Sequence, residues 1–367
     1  MIVFRTDSSL QMGSGHVMRC LTLADELRQR GTEVLFICRE HPSNIIRLIE
    51  EKGYPVSRLP LADAEFISAS GDVTHAAWLG VSWQQDAVET IAAVGEVLTD
   101  WLIVDHYSLD RRWEELLRPN VGKIMVIDDI ADRPHDCDLL LDQNLYDNME
   151  SRYIGLVPKQ CVKLLGPGYA LLRPEFMKAR KNLRERDGSV KRILIFFGGS
   201  DPGNETAKAL DAIRLINRPD IAVDVVVGAT NQTREEIRTL CAAIPNTIFH
   251  CQVSNMAELM AAADLAIGAG GSTTWERCFL GLPALIVAIA DNQFETSCCL
   301  AGNGSAWFAG TADGVSPNKL EEYLRRLLVD PFHLVKASII GKLIVDGSGS
   351  EAICRNMQQI QFWENMQ

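Results

Sequence analysis

The segment DLAIGAGGSTTWERCFLGLPALIVAIADNQ, residues 264–293, contains one complete strand–loop–helix–strand unit of this 367-residue chain. A nearly uninterrupted apolar run ends at Ile267, glycines follow, a helical pattern opens at Ser272 or Thr273, and a second apolar run occupies Ala284–Ala288. Runs of this kind are typical of parallel strands that are buried on both faces. The segment therefore predicts a βαβ unit of a parallel sheet.

The same alternation of apolar runs and amphipathic segments extends in both directions along the chain, which predicts a doubly wound α/β architecture. A charged segment, residues 178–192, divides the chain near its middle, and the second half restarts like the first with a strand, a glycine loop and a helix. We therefore predict two Rossmann-like domains that face each other across a cleft, over residues 1–180 and 191–350. Residues 351–367 are predicted to form a helix that packs back on the first domain.

The predicted strands are short apolar runs, and helical patterns lie between most of them. In the first half they are Ile2–Thr6, Glu33–Cys38, Trp101–Asp105, Lys123–Ile127, Asp138–Leu141 and Val162–Leu164. In the second half they are Arg192–Phe197, Ala222–Val227, Thr247–His250, Asp264–Ile267, Ala284–Ala288 and Ala306–Phe308.

Composition and charge narrow the class of protein. Apolar residues make up 47% and charged residues 23% of the chain, as in ordinary soluble proteins, and no apolar run approaches the ~20 residues of a membrane span. The N-terminus lacks the pattern of a signal peptide, and the ten cysteines are scattered without a CxxC pair, which favours reduced thiols. The net charge of −12 argues against nucleic acid or an anionic membrane as partner. We therefore expect a cytoplasmic monomer that binds a small molecule.

The glycine loop of the second half is predicted to bind a diphosphate. Gly270 and Gly271 precede a helix that opens at Ser272 or Thr273, so backbone amides and the positive end of the helix dipole can hold an oxyanion without a metal. Glu276 lies in the first turn of this helix. Its carboxylate either accepts hydrogen bonds from a ribose diol or only complements the helix dipole, and the pattern does not choose between these two roles.

The strand after this helix ends in Asp291, Asn292 and Gln293, which places three polar side chains at the carboxyl edge of the predicted sheet. Ligands of doubly wound sheets bind at that edge. A turn with an Asx cap is the structural alternative, but the neighbouring glycine loop favours a contact of Asn292 and Gln293 with a sugar.

In the first domain, Arg5 emerges from the first strand and is followed by Gly13, Gly15 and His16. The loop is not a dinucleotide fingerprint, because Met18 occupies the place of the third glycine, and it lacks the lysine of a P-loop. A histidine at a helix start is favoured as a neutral proton acceptor by the helix dipole. We therefore predict that His16 is a catalytic base, and that Arg5 and the two glycines contact the substrate.

Two acidic motifs follow later strands of the first domain. In WLIVDHYSLD, residues 101–110, Asp105 can orient an imidazole and Tyr107 can hydrogen-bond a sugar, unless both cap the next helix. The motif IDDIADR, residues 127–133, is similar to a metal-binding DxD motif, but no further ligands cluster nearby in the sequence. Asp129 or Asp132 is better interpreted as a cap or a partner of Arg133, and we predict no metal and no cofactor.

Together, several motifs resemble a known family. GSGHVMR, VDHY, DDIADRPH, DLLLDQN, GPGYALLRPEF, FGGSDP, GAGGSTTWERC and ADNQ occur in order over nearly the whole chain. They resemble the UDP-2,4-diacetamido-2,4,6-trideoxy-β-L-altropyranose hydrolases of pseudaminic acid biosynthesis. That family is related to the peptidoglycan glycosyltransferase that adds N-acetylglucosamine to lipid I, so the resemblance implies a GT-B-like α/β fold.

The resemblance also implies an activity, namely metal-independent hydrolysis in which water attacks the anomeric carbon, UDP leaves and the configuration inverts. The catalytic histidine of the family falls on His16, and its strand-end tyrosine falls on Tyr107. The residues implied to bind the UDP-sugar are Glu276 for the ribose, Val253 and Met256 for the uracil, and the pair Asn292 and Gln293. The additional sequence around residues 62–83 has no implied role.

Three other functions remain possible at this stage. A GT-B glycosyltransferase of the same fold would use a UDP-sugar donor and would need an acceptor groove. A hydrolysing UDP-N-acetylglucosamine 2-epimerase needs more carboxylates around C2 of the sugar. A non-catalytic nucleotide-sugar binding protein needs the loop that contains Gly270 and Glu276 but no base at His16.

Overall fold

The computed structural model describes residues 1–62, 71–95 and 98–364. The chain divides into two compact units. The N-terminal unit comprises residues 1–144, 148–171 and the chain from 348 onward, and the C-terminal unit comprises residues 145–147 and 172–347. No helix among the described residues is both long and apolar enough to cross a membrane.

The N-terminal unit contains a seven-stranded parallel sheet with the order β3-β2-β1-β4-β5-β6-β7. Its strands are β1 (Ile2–Thr6), β2 (Val34–Arg39), β3 (Val56–Leu59), β4 (Thr99–Asp105), β5 (Val121–Ile127), β6 (Leu139–Asp142) and β7 (Val162–Leu165). Its helices before residue 172 are α1 (Gly15–Gln29), α2 (Ile46–Glu51), α3 (Trp83–Val94), α4 (Arg111–Leu117) and α5 (Met149–Arg152).

Alternate side chains of the central strands pack on opposite faces of this sheet, as a doubly wound fold requires. Phe4 and Phe36 stack with ring centroids 4.9 Å apart on the face that α1 covers. Val3 and Ile37, their neighbours in the chain, belong to the core on the other face, with Trp113 of α4. The middle residues of the central strands are apolar because both faces of the sheet are buried there.

The C-terminal unit contains a six-stranded parallel sheet with the order β10-β9-β8-β11-β12-β13. Its strands are β8 (Arg192–Phe196), β9 (Ala222–Val227), β10 (Thr247–Cys251), β11 (Leu265–Ala269), β12 (Ala284–Ala288) and β13 (Trp307–Thr311). Its helices are α6 (Pro174–Lys181), α7 (Glu205–Ile216), α8 (Arg234–Ala243), α9 (Met256–Ala262), α10 (Thr273–Phe279), α11 (Phe294–Gly302), α12 (Pro317–Leu327) and α13 (Pro331–Ile344).

The last helix, α14 (Gly349–Glu364), belongs to the N-terminal unit. Its residues Ile353 and Met357 are buried in the same core cluster as Leu27 of α1. The N-terminal unit ends at residue 171 rather than at 180, because Phe176 of α6 is fully buried in the C-terminal unit. Residues 365–367 of the predicted terminal helix lie outside the described residues.

Two further differences from the sequence prediction concern the region after β2. The strand β3 was not predicted, because its sequence VSRL is short and only partly apolar, and it lies at the edge of the sheet. Of the additional sequence around residues 62–83, residues 63–70 lie outside the described residues. Residues 76–79 form a single turn of 3₁₀-helix.

Candidate active site

The carboxyl ends of β1 and β4 bring His16 and Asp105 together. The two strands pair in parallel with Thr6 opposite Asp105, and α1 begins nine residues after β1 ends, with His16 in its first turn. The Nδ1 atom of His16 lies 2.6 Å from Oδ1 of Asp105, and both residues are buried. When Nδ1–H is donated to this carboxylate, the lone pair of the imidazole is on Nε2, which can accept a proton.

Arg19 connects this pair to a second carboxylate. Its Nε and Nη2 donate to the two oxygens of Asp105 at 2.6 and 2.7 Å, and its Nη1 donates to Asp129 at 3.0 Å. Arg19 reaches Asp105 because it lies three residues after His16, on the same face of α1. Burial by itself would raise the pKa of Asp105, but the Arg19 guanidinium outweighs burial and holds that pKa below its usual value. Asp105 is therefore a permanent negative partner for the imidazole.

Tyr107 completes the group around His16. Its hydroxyl donates a hydrogen bond to Asp129, and its ring packs edge-on against the imidazole with centroids 4.6 Å apart. Burial, reinforced by the charge of Asp129, raises the pKa of Tyr107 well above its ordinary value. The tyrosine is therefore a hydrogen-bond donor at neutral pH. His16, Asp105 and Tyr107, which were predicted from two separate motifs, lie in one cluster.

The acidic motif after β5 forms internal ion pairs. Arg133 contacts Asp128 and Asp132, each at 2.9 Å, so the predicted pair with Arg133 involves Asp132, whereas Asp129 binds Arg19 and Tyr107. Asp128 also accepts a hydrogen bond from the amide of Ala131. Within the described residues, no group of three or more His, Cys, Asp or Glu side chains is arranged to hold a metal ion.

Asp142, at the end of β6, is a buried acid whose pKa is raised. Burial, together with the nearby negative charge of Asp129, raises the pKa of Asp142 to about 8, although Arg152 lies 3.6 Å away. The Tyr153 hydroxyl lies 3.0 Å from the same carboxyl group. In the unfolded chain an aspartate has a pKa near ~3.9, so the folded protein binds one more proton between about pH 4 and pH 8.

Replacing Asp142 with asparagine, which resembles the protonated acid, is expected to remove a loss of stability at high pH. The favourable contribution of Asp142 is complete below about pH 4 and is lost as the pH rises towards 8, by at most about 1.4 kcal/mol per pH unit. Urea unfolding at pH 5, 6.5 and 8 should show the variant gaining on the wild type as pH rises. The control is Asp211→Asn, since Asp211 is half-buried and pairs with Arg214 on the surface of α7. A pH profile of Asp142→Asn that runs parallel to the wild-type profile would contradict the assignment.

Three other residues of the N-terminal unit, Arg5, Gly13 and Gly15, were also predicted to contact the substrate. Arg5 requires a correction: its guanidinium is completely buried and lies 2.7 Å from Asp7 and 2.6 Å from Asp86, so it supports the loop from inside instead of contacting a ligand. Gly13 has a φ of +71°, and a Cβ at Gly13 or Gly15 would meet nothing within 4 Å. Packing inside the protein therefore does not require a glycine at position 15.

In the C-terminal unit, a side-chain hydrogen bond to Gln293 holds the loop between β11 and α10. The Oε1 atom of Gln293 accepts hydrogen bonds from the amides of Gly270 and Ile289, both at 3.1 Å. A Cβ on Gly270 would lie 2.6 Å from the Ser297 hydroxyl, so close packing requires a glycine there. The Gly270 amide was predicted to bind a phosphate, but in the structure it donates to Gln293. The amide donors left for an anion are those of Gly271, Ser272 and Thr273, where α10 begins.

Glu276 is buried in the first turn of α10, and only one of its carboxylate oxygens is bonded. Oε1 accepts a hydrogen bond from Nε of Arg173 at 2.8 Å, while Oε2 has no hydrogen-bond partner among the described residues. Burial raises the pKa of Glu276, and the nearby Arg173 opposes this rise. A buried carboxylate oxygen without a donor is costly, which favours a ligand hydroxyl as its partner.

The remaining predicted residues lie at the same edge of this sheet. Asn292 is half-buried in the turn Asp291–Gln293 that follows β12. Val253 is half-buried in the loop after β10, and Met256 is buried at the start of α9. The carboxyl ends of parallel strands share one edge, so these residues and the start of α10 lie along the same edge of the sheet.

Comparison with known proteins gives the fold. Residues 193–338 match the glycosyltransferase family 28 C-terminal domain. The structure is similar to that of MurG from Acinetobacter baumannii, with a TM-score of 0.67 and 14% identity over 98% of this chain and 99% of that chain. The chain has the GT-B fold.

One of the proteins that are similar in sequence to this GT-B chain is a hydrolase. The chain is 28% identical, over 83% of its length and 97% of the relative's, to the UDP-2,4-diacetamido-2,4,6-trideoxy-beta-L-altropyranose hydrolase of Campylobacter jejuni. It is 27% identical over 81% of its length to an uncharacterized protein of Methanocaldococcus jannaschii, of which the match spans 57%. The family resemblance found in the motifs is therefore confirmed.

Two arginines of the candidate site were not found from the sequence. Arg19 belongs to the motif GSGHVMR, and its spacing of three residues from His16 on a helix was the available signal. Arg173 belongs to the motif GPGYALLRPEF, but nothing in the sequence connects it to Glu276, which lies 103 residues away. Both contacts depend on how distant segments fold together.

Proposed function

We propose that this protein is a hydrolase of a UDP-sugar, and that its substrate is UDP-2,4-diacetamido-2,4,6-trideoxy-β-L-altropyranose. The observation that carries the proposal is the buried pair of His16 and Asp105, which leaves Nε2 of the imidazole available as a base. The similarity to the C. jejuni hydrolase supports this choice of reaction and substrate.

In the proposed reaction, a water oxygen attacks the anomeric carbon while Nε2 of His16 takes one of the water's protons. The bond between the anomeric carbon and the diphosphate oxygen breaks, its electron pair leaves with UDP, and the sugar is released with inverted configuration. Asp105 stabilises the imidazolium that forms. General-base catalysis of this kind typically contributes about 10²–10⁴-fold to the rate.

The proposed role of the C-terminal unit is to bind the nucleotide. The amides of Gly271, Ser272 and Thr273 and the dipole of α10 would hold the diphosphate without a metal and stabilise its charge as it leaves. The unbonded Oε2 of Glu276 would accept hydrogen bonds from the ribose hydroxyls. The resemblance assigns Val253 and Met256 to the uracil.

Three further residues have proposed contacts with the substrate. Asn292 is assigned to the sugar by the family resemblance, and Gln293 is assigned a sugar contact through its Nε2, because its Oε1 holds the loop. In the N-terminal unit, Gly15 faces open space. A glycine that internal packing does not require is explained if the substrate approaches the backbone there.

A GT-B glycosyltransferase that uses the same donor is the second candidate. The match to the glycosyltransferase family 28 C-terminal domain and the similarity to MurG support it. The two candidates differ in one requirement, because a transferase needs an acceptor hydroxyl whereas a hydrolase needs only water.

The deciding experiment follows UDP release by ³¹P NMR in the presence of EDTA, with no acceptor added. UDP-2,4-diacetamido-2,4,6-trideoxy-β-L-altropyranose and UDP-N-acetylglucosamine are tested in parallel. We expect release from the first substrate at a rate that chelation does not change. Release that appears only after an acceptor is added would favour the transferase, and release that requires Mg²⁺ or Mn²⁺ would contradict the metal-free reaction.

Replacing Glu276 with alanine is expected to weaken UDP binding by about 1.5–3 kcal/mol, the usual value of a hydrogen bond to a charged group. The variant Glu175→Ala is a matched control, because Glu175 contacts the same Arg173, at 2.9 Å, but is more exposed. Isothermal titration calorimetry with UDP measures both. Equal UDP affinities for the two variants would show that Glu276 only stabilises α10.

A further inference from the structure

The segment before α3 is held against the end of β4. The Ser108 hydroxyl donates a hydrogen bond of 2.6 Å to the carbonyl of His75. Leu79, in the 3₁₀ turn that follows, is buried in the same core cluster as Leu109. These contacts fix residues 75–79 beside the loop that contains Tyr107.

Three aromatic side chains form a contiguous cluster here, which we call the aromatic wall and which consists of His75, Trp78 and Tyr107. The ring centroids of His75 and Trp78 are 4.4 Å apart, and those two rings lie 5.5 and 6.0 Å from the ring of Tyr107. Tyr107 in turn packs against His16. The aromatic wall therefore begins directly beside the proposed catalytic base.

The two outer residues of the aromatic wall, His75 and Trp78, are only partly exposed to solvent. His75 and Trp78 are both half-buried, whereas Tyr107 is almost completely buried. Burial, opposed by the charge of Asp132, lowers the pKa of His75, and the nearby Arg133 and His16 lower it further. His75 is therefore favoured as a neutral ring at neutral pH, and both outer rings of the wall are uncharged and partly accessible.

We propose that His75 and Trp78 bind the sugar of the UDP-sugar substrate and select pyranoses that carry methyl groups. This inference rests on the proposed hydrolase function and adds the source of its sugar selectivity. Aromatic rings pack well against C–H groups and methyl groups, and a 6-deoxy sugar with two acetamido groups has three methyl groups. A sugar with a hydroxyl group on C6 must partly desolvate that hydroxyl against the same surface.

Binding to an inactive protein tests this inference separately from catalysis. In a His16→Asn background, calorimetry gives the Kd of UDP and of the UDP-diacetamido-trideoxy sugar. Adding Trp78→Ala is expected to raise the Kd of the UDP-sugar about tenfold, which is the size of one good aromatic contact, and to leave the Kd of UDP unchanged. Trp78→Phe is expected to recover most of the loss, and His75→Ala to give a smaller change in the same direction.

Trp83→Ala is the matched control, since the Trp83 ring contacts Arg112 rather than Tyr107 and should leave both Kd values unchanged. If circular dichroism shows that the Trp78→Ala variant is unfolded, His75→Ala and Trp78→Phe are compared instead. Both are expected to raise the Kd of the UDP-sugar, by less than tenfold, and to leave the Kd of UDP unchanged. Equal Kd values for the UDP-sugar across the wall variants and the control would overturn the inference. In active protein, the selectivity for this sugar over UDP-N-acetylglucosamine should fall in the Trp78→Ala variant, and an unchanged ratio of kcat/KM values would also overturn it. Failure of the wild type to release UDP would instead contradict the proposed function.

Discussion

Replacing His16 with asparagine is expected to lower kcat for UDP release by about 10²–10⁴-fold, the contribution of a general base. Asparagine can still donate a hydrogen bond to Asp105, so the buried carboxylate keeps a partner and the loop before α1 keeps its shape. It has no nitrogen that accepts a proton from water. The affinity for UDP, measured by calorimetry, should therefore remain within about twofold of the wild type.

The control for this variant is His333→Asn. His333 also pairs with an aspartate, Asp330, at 2.7 Å, but this pair is exposed on α13 of the C-terminal unit. The control should retain full activity. Turnover near the wild-type value in the His16→Asn protein would show that another group activates the water.

Replacing Asp105 with asparagine is expected to lower kcat by a similar factor, about 10²–10⁴-fold. The amide removes the negative charge that stabilises the imidazolium, and it can donate a hydrogen bond to Nδ1, which places the imidazole proton on Nε2. The catalytic nitrogen would then be a donor instead of an acceptor. Arg19 would at the same time lose one of its two carboxylate partners.

Because Asp105 is buried and paired with an arginine, its replacement also destabilises the fold, and a control must separate the two effects. Asp224 offers one, since it binds His250 at 2.8 Å and Arg192 at 2.6 Å in the C-terminal unit. Asp224→Asn should reduce the free energy of unfolding but not kcat. If both variants lose stability and neither loses kcat at a temperature where they are folded, Asp105 is structural only.

The strands of the core were predictable because their physical signal is local. Parallel strands buried on both faces need continuous apolar residues, and the observed bounds of β1, β9 and β12 are those predicted. The edge strand β3 lacks this signal, since its Arg58 is exposed and pairs with Glu50 and Glu40 on the surface. Its place in the sheet depends on pairing with β2, which no short window of sequence shows.

The candidate site was predictable where strand ends determined it and was not where side chains from distant segments meet. His16, Asp105 and Tyr107 lie at or after the carboxyl ends of β1 and β4, which are neighbours in the sheet, so their positions could be predicted. Arg5 also lies near the carboxyl end of a strand, but its guanidinium forms a buried ion pair with Asp86 of α3 inside the unit.

The Gly270 amide was predicted to bind a phosphate, but the side chain of Gln293 accepts its hydrogen bond. As with Arg5, the partner comes from another segment of the chain. Position in a sheet can be derived from apolar patterns. The partners of individual polar groups depend on tertiary contacts that these patterns do not contain.

The measurement that tests the proposed hydrolase most directly is the reaction in ¹⁸O-labelled water with EDTA, followed by mass spectrometry of both products. Water attack at the anomeric carbon predicts ¹⁸O in the free sugar, unlabelled UDP, and inverted configuration of the first-formed sugar by ¹H NMR. Label in the β-phosphate of UDP would contradict the account, because it would show that the P–O bond breaks. Absence of UDP release without an added acceptor would contradict it as well.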